Sequence, residues 1–201
     1  MRLPDTERSH LYRDMAPLTA SMVKTAGPYN AARESMIEVL RGYEFFSALE
    51  VGCSIGTAIR RISDEFNCLC AGLDFCEAAL EEARRINPEL PFRLLDAEDL
   101  LTKPPRMHAD LILTCGVLMH CGPDLYRKIC QNILALNPRL IFHQEIQGDE
   151  ELIENCETVN HFKRAHDYVK TYKDLGIPEA NIRRTVFGSD AGLMNIIVEM
   201  E

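Results

Sequence analysis

The sequence predicts an α/β fold: a mostly parallel sheet covered by helices and finished by an antiparallel hairpin. Two observations carry this reading. From residue 45 to residue 146, short apolar runs of strand length alternate with segments of helical spacing. That rhythm marks parallel strands buried on both faces. Near the C-terminus two strand-like runs, 181–188 and 192–200, are separated only by Ser189, Asp190 and Ala191. No crossover helix fits there, so the two runs must pair antiparallel.

The elements follow in order. Residues 1–28, with Pro4, Pro17, Gly27 and Pro28, read as a loosely structured arm. NAARESMIEVLR (30–41) places Ala32, Met36, Ile37, Val39 and Leu40 at helical spacing, with Asn30 as a possible cap. FFSALEVG (45–52) is a strand, GTAIRRISDEF (56–66) a helix, CLCAGLDF (68–75) a strand, and EAALEEARRI (77–86) a helix that stops before Pro88. PFRLLDA (91–97) and ADLILTCG (109–116) are strands. DLYRKICQNILAL (124–136) is an amphipathic helix, and RLIFHQEI (139–146) is a fifth strand. Residues 149–175 read as helical. The domain division expected is an arm and helix over 1–44 and a ligand-binding domain over 45–201.

Composition narrows the class. A chain of 201 residues fits one domain that needs neither disulfides nor metal to hold its core. No apolar run approaches the roughly 20 residues that span a bilayer, and the polar N-terminus is unlike a secretory signal. A cytoplasmic location is therefore expected. The eight cysteines sit mostly in apolar runs, and with no CxxC pair they read as reduced thiols rather than zinc ligands. A net charge of −9 argues against general nucleic-acid binding. The basic stretch between His161 and Lys173 reads as a solvated face.

The chemistry concentrates at predicted strand ends. Glu50-Val51-Gly52-Cys53-Ser54-Ile55-Gly56 joins the first strand to the next helix. Small residues there allow a tight turn and close approach of a ligand, and the free N–H groups of the helix start face the same crevice. The spacing is not G-x-G-x-x-G, because Thr57 occupies the place of the third glycine. Glu50 is awkward for a pyrophosphate and suited to a cation. Asp74 ends the second strand and can accept ribose hydroxyls, or cap the following helix. Phe75 can lie on a base or pack in the core. Asp96 ends the third strand, where it can accept an adenine amine while Ala97 N–H meets a ring nitrogen; a surface turn is the alternative. Carboxylates at three neighbouring strand ends describe a pocket for an adenosine with a positively charged tail.

Glu50–Gly56, Asp74, Asp96-Ala97 and ADLILTCGVLMH resemble the successive cofactor motifs of the class I S-adenosylmethionine-dependent methyltransferases, over residues 45–146. The resemblance implies a Rossmann-like three-layer sandwich whose seven-stranded sheet has its last strand inserted antiparallel. It implies that Gly52, Cys53, Ser54 and Gly56 shape the loop around the methionine part of S-adenosyl-L-methionine. Glu50 would support its amino end, Asp74 the ribose and Asp96 the adenine, with Cys115 and Gly116 beside the sulfonium. The product would be S-adenosyl-L-homocysteine. Ser54 stands where the family often has glycine. GVLMHCGPDLYRKI also resembles methylases of sugar and secondary-metabolite biosynthesis.

Candidates to orient an acceptor or take its proton are His120, after the fourth strand, and His143 and Glu145, which share one face of the fifth. His161, His166, Asp167 and Tyr168 are candidates for an acceptor wall. No H-E-x-x-H, G-x-S-x-G or G-K-[ST] motif is present, and no metal site is expected. The expected activity is N- or O-methylation of a small metabolite, with the N-terminal arm, including Tyr12 and Tyr29, closing as a lid. A protein or peptide methyltransferase, a non-catalytic cofactor-binding module and a nicotinamide-dependent oxidoreductase remain alternatives. The sequence does not fix the oligomeric state.

Overall fold

The computed structural model of the chain describes residues 28–149, 151–156, 161–186 and 193–200. Helix α1 spans Pro28–Leu40 and leads into β1 (Ser47–Val51), α2 (Thr57–Glu65), β2 (Leu69–Asp74), α3 (Glu77–Ile86) and β3 (Phe92–Leu94). Then come β4 (Leu111–Cys115), α4 (Pro123–Ala135), β5 (Leu140–Ile146), β6 (Glu151–Cys156), β7 (His161–Ala165), α5 (Tyr168–Asp174), β8 (Ile182–Val186) and β9 (Leu193–Glu199). Strands β3-β2-β1-β4-β5-β9-β8, in that order, form one seven-stranded sheet. The first five are mutually parallel, whereas β9 pairs antiparallel with both β5 and β8. This is the Rossmann-like three-layer sandwich the sequence predicts.

The two faces of the sheet bury separate cores. On one side Met36, Ile37 and Leu40 of α1 pack with Ala58, Ile59 and Ile62 of α2 against Leu111, Leu113 and Phe142. On the other, Tyr126, Ile129 and Ile133 of α4 and Tyr168 and Tyr172 of α5 pack against Leu49, Ile112 and Ile141. Burial on both faces explains why β5 is buried along its whole length, His143, Gln144 and Glu145 included.

Helix α1 is part of this core rather than a detached arm. Gln144 Nε2 donates to Ala32 O (2.7 Å) and to Asn195 Oδ1 (2.9 Å), and Asn195 Nδ2 donates to Ser35 Oγ (2.7 Å). These bonds hold α1 across β5 and β9. The arm before it, including Tyr12, lies outside the described residues.

One element differs from expectation. Within the expected helical region, 151–156 and 161–165 are the antiparallel strands β6 and β7, and among the described residues there the helix is 168–174. Leu152, Cys156 and Val159 have helical spacing, but Asn155, Thr158 and Asn160 are weak helix formers. The far end of the hairpin is tied to β5. Gln147 and His166 form a parallel bridge in which His166 N donates to Ile146 O (3.1 Å) and Gly148 N to His166 O (3.2 Å). Tertiary pairing overrides the local period.

The described cysteines Cys53, Cys68, Cys70, Cys76, Cys115, Cys121 and Cys130 are free thiols. No helix among the described residues is long and apolar enough to cross a membrane.

Because Ile37 is wholly buried between α1 and α2 while Glu38 is exposed, Ile37→Ala should lower unfolding free energy by about 2–4 kcal/mol. Glu38→Ala should change it by less than about 0.5 kcal/mol. Equal effects in urea titrations would contradict the packing of α1 into the core.

Candidate functional site

Parallel strands that alternate with helices leave their carboxyl ends on one edge of the sheet, and the candidate residues collect there. The β1–α2 turn has Gly52, Ser54 and Gly56 at positive φ (75°, 49° and 76°). A Cβ on Gly52 would stand 2.6 Å from Val117 Cγ2, and one on Gly56 2.6 Å from Phe92 Cζ. Glycine is therefore required twice over, by backbone conformation and by close approach. Ser54 keeps the left-handed conformation although it has a side chain.

Glu50 is 3% exposed, and its Oε2 accepts Ile59 N–H (2.9 Å). Burial raises its pKa to about 8, against the pull of the Ile59 N–H and of the Arg33 guanidinium, while the nearby Asp74 charge adds to the rise. Asp74 is likewise buried. Its Oδ2 accepts Ser54 N–H (2.7 Å) and its Oδ1 accepts Cys76 N–H (2.8 Å). Burial raises its pKa and Asp96 contributes in the same direction. Asp74 thus lies near both Glu50 at the end of β1 and Asp96 after β3. Asp74 both holds the turn and caps the start of α3; carboxylate oxygens have two lone pairs each, so neither is exhausted.

Asp96 Oδ1 accepts Glu98 N–H (3.0 Å) at the start of a short turn over Ala97–Asp99. Asn132 of α4 closes that turn by donating to Ala97 O and Glu98 O (both 3.1 Å). Phe75 is half-buried. Cys53 is buried, and its N–H, like that of Gly52, donates to Leu73 O (2.8 Å). Cys115 ends β4 with its sulfur 3.9 Å from Met36 Sδ, and Gly116 N donates to Gln144 O (3.0 Å).

Of the three catalytic candidates, His120 lies in the loop after β4. It is half-buried and closes the single turn Leu118–His120 that follows Gly116. His143 does not reach the crevice. It is wholly buried, its Nδ1 is 2.7 Å from Thr114 Oγ1 and its Nε2 is 2.7 Å from Tyr172 Oη. Burial lowers its pKa to about 3, so the ring is neutral. Glu145 is also wholly buried. Its Oε1 accepts Val117 N–H (2.9 Å) and Leu118 N–H (3.2 Å), and its Oε2 accepts Met119 N–H (3.2 Å). These bonds hold the turn that carries His120.

His166 completes that clamp from the other side. Its Nε2 faces Leu118 O (3.1 Å) and Cys121 O (3.2 Å), so this nitrogen carries the proton, and the ring stacks on Tyr126 at 4.0 Å. Asp167 caps α5 through Lys170 N–H, and Tyr168 is buried beside Tyr126. His161 is the first residue of β7.

Sequence reasoning missed Arg33. It lies on α1, and its Nη2 donates to Thr57 Oγ1 (2.6 Å) at the start of α2, close enough to Glu50 to lower its pKa. A cation and a buried acid thus flank the glycine turn, a pairing matched to the carboxylate and ammonium of an amino acid.

Residues 48–137 match the methyltransferase-domain family. The chain thus contains a stretch similar to methyltransferase domains. Solved structures similar to it in fold include magnesium protoporphyrin IX methyltransferase (ChlM) from Synechocystis PCC 6803 with bound S-adenosylmethionine. That match has a TM-score of 0.70 at 14% identity and covers 99% of both chains. Another is the 1,6-didemethyltoxoflavin-N1-methyltransferase of Burkholderia thailandensis, with a TM-score of 0.64 at 15% identity over 98% of this chain and 90% of that one. A third is DesVI of Streptomyces venezuelae, with a TM-score of 0.66 at 12% identity over 91% and 97%. No curated protein matches the chain significantly in sequence.

The buried His143 generates a pH prediction. Unfolded, it titrates near 6.5; folded, it stays neutral down to about pH 3. Its contribution to stability is thus complete above pH 6.5 and is lost as pH falls from 6.5 toward 3. His143→Gln, which keeps a polar bridge to Thr114 and Tyr172, should show a smaller loss of stability between pH 7.5 and 5 than the parent chain. Identical losses in denaturant titrations would contradict a buried neutral histidine.

Proposed function

We propose that this chain transfers the methyl group of S-adenosylmethionine to a nitrogen or oxygen of a small metabolite. The observation that carries the reading is the set Glu50, Asp74 and Asp96 at adjacent strand ends around a glycine turn, with Arg33 opposite. The acids fit the cofactor because two of them, Glu50 and Asp74, are desolvated with raised pKa values, a state that a bound cation relieves. In this assignment Arg33 takes the methionine carboxylate and Glu50 its ammonium. Asp74 uses its remaining lone pairs for the ribose, Phe75 lies against the base, and Asp96 with Ala97 N–H meets the adenine edge. Gly52 to Gly56, Cys115 and Gly116 line the methionine side.

The cofactor supplies an electrophilic methyl carbon on a sulfonium, so the chain's part is alignment and exclusion of water. The turn Val117–His120 is held at three amides by Glu145 and at two carbonyls by His166. His120 then faces the crevice from a fixed support and accepts the proton of an amine or hydroxyl acceptor. Helix α1 and the hairpin β6–β7 flank the opening, and two short elements enclose a small acceptor better than a polymer surface. The toxoflavin precursor and magnesium protoporphyrin IX named for the similar structures support a ring-bearing small molecule; a sugar-linked or secondary-metabolite intermediate is the class proposed. The chain's activity is assigned to the cytoplasm, where the cofactor is made available.

Two measurements test this. With Glu50 protonated up to about pH 8 in the free chain, binding of the cationic cofactor should release a proton near pH 7 and tighten as pH rises from about 6 to 8. Calorimetry in buffers of different ionisation enthalpy should detect the release, and Glu50→Gln should abolish it; proton-neutral binding by the parent chain contradicts the assignment. On a panel of amines, phenols, sugar derivatives and peptides, turnover should appear with a small molecule. His120→Ala should then lower kcat by about 10²-fold or more without weakening S-adenosylhomocysteine binding. Turnover on peptides alone, or tight cofactor binding with no turnover, would overturn the acceptor class.

A further inference from the structure

At the opposite edge of the sheet from the cofactor crevice, two thiols lie together. Cys68 immediately precedes β2 and Cys70 is its second residue. Residues two apart on an extended chain share a face, and here the sulfurs are 3.5 Å apart. Leu69 between them is anchored: its N–H donates to Phe46 O (2.9 Å), and it pairs in register with Ser47. Cys68 stands outside the ladder, with its N–H on Phe66 O (2.9 Å), so its side chain can turn without breaking a strand bond. Cys68 is half-buried and Cys70 is buried. One sulfur is therefore reachable from solvent, and the other waits behind it.

We propose that Cys68 and Cys70 are a thiol-modification site that reacts with the disulfide of a low-molecular-weight thiol, Cys68 attacking and Cys70 resolving. The hydrogen bond with Cys70 holds the Cys68 thiol below the usual range, in spite of burial and of Asp110 nearby. The pKa of Cys70 is raised, first by that same bond and then by burial. Attack by the Cys68 thiolate breaks the reagent's S–S bond, forms a mixed disulfide and expels one thiolate. The bond that raised Cys70 is then gone. Cys70 gives its proton to solvent, its sulfur attacks the Cys68 sulfur, and the second reagent thiolate leaves. Each leaving thiolate takes up a proton. Two cysteine thiols are oxidised and one small disulfide is reduced to two thiols. Elsewhere Cys115 faces the Met36 thioether, and Cys53 and Cys121 face carbonyl oxygens.

The test uses the full, reduced chain exposed to oxidised glutathione, alkylated with N-ethylmaleimide and digested with trypsin. Peptide Ile62–Arg84 carries Cys68, Cys70 and the buried Cys76. It should appear two hydrogens lighter with a single maleimide, on Cys76. Before oxidation, Cys68 should alkylate about tenfold faster than Cys70 or Cys76. In Cys70→Ser the glutathione adduct should remain on Cys68, and in Cys68→Ser position 70 should stay unmodified. The parent-chain measurement needs no variant to fold. Full alkylation of both Cys68 and Cys70 after oxidant, a stable adduct on Cys68 of the parent chain, or pairing with a different cysteine would overturn the proposal.

Discussion

Taking a carboxylate out of water costs several kcal/mol unless donors replace the lost solvent. In this chain the donors are backbone amides of the loops at the carboxyl edge of the sheet. Asp74, at the end of β2, accepts the N–H of Ser54 in the loop after β1. Glu145, on β5, accepts three consecutive N–H groups in the loop after β4. Each acid thus reaches across to the loop of a neighbouring strand and fixes it. Charge-assisted bonds of this kind are the stronger ones, and these two span the edge on either side of β1. The glycine turn and the His120 turn inherit their positions from them. Glu50 accepts the Ile59 N–H and stays protonated to about pH 8, which leaves it responsive to a cation.

The same face of β5 also carries a second polar network. His143 and Tyr172, and Tyr126 and Thr171, satisfy one another deep in the second core. This network joins α4 and α5 to the sheet, while His166 at the end of the hairpin connects it to the His120 turn. The acceptor side of the site therefore depends on packing far from the reacting atoms. His166 and Glu145 hold opposite polar groups of one short turn, so a change at either shifts His120 without touching substrate.

The sheet was legible because its strands are buried on both faces, which leaves apolar runs that end at glycine, aspartate or proline. The glycine turn and the three strand-end acids were legible for the same reason: their positions follow from where each run stops. His143 and Glu145 share a strand face by alternation, yet alternation does not reveal what covers that face. Here Tyr172 of α5 meets His143, and amides of the loop after β4 meet Glu145. The hairpin β6–β7 was hidden because its apolar residues have helical spacing and its anchor, the bridge between Gln147 and His166, joins parts of the chain that the period does not relate. Arg33 and Asn132 act across 24 and 35 or fewer residues of sequence. Only the fact that α1 and α4 must cover the sheet could have pointed to them.

The most direct measurement is a crystal structure of the chain with S-adenosylhomocysteine. Adenosine should lie over the Gly52–Gly56 turn, with the ribose hydroxyls within 3.2 Å of Asp74 and the amino acid between Glu50 and Arg33. A ligand seated elsewhere, or a ribose that leaves Asp74 bonded only to Ser54 and Cys76, would contradict the claim that the strand-end carboxylates form the cofactor site.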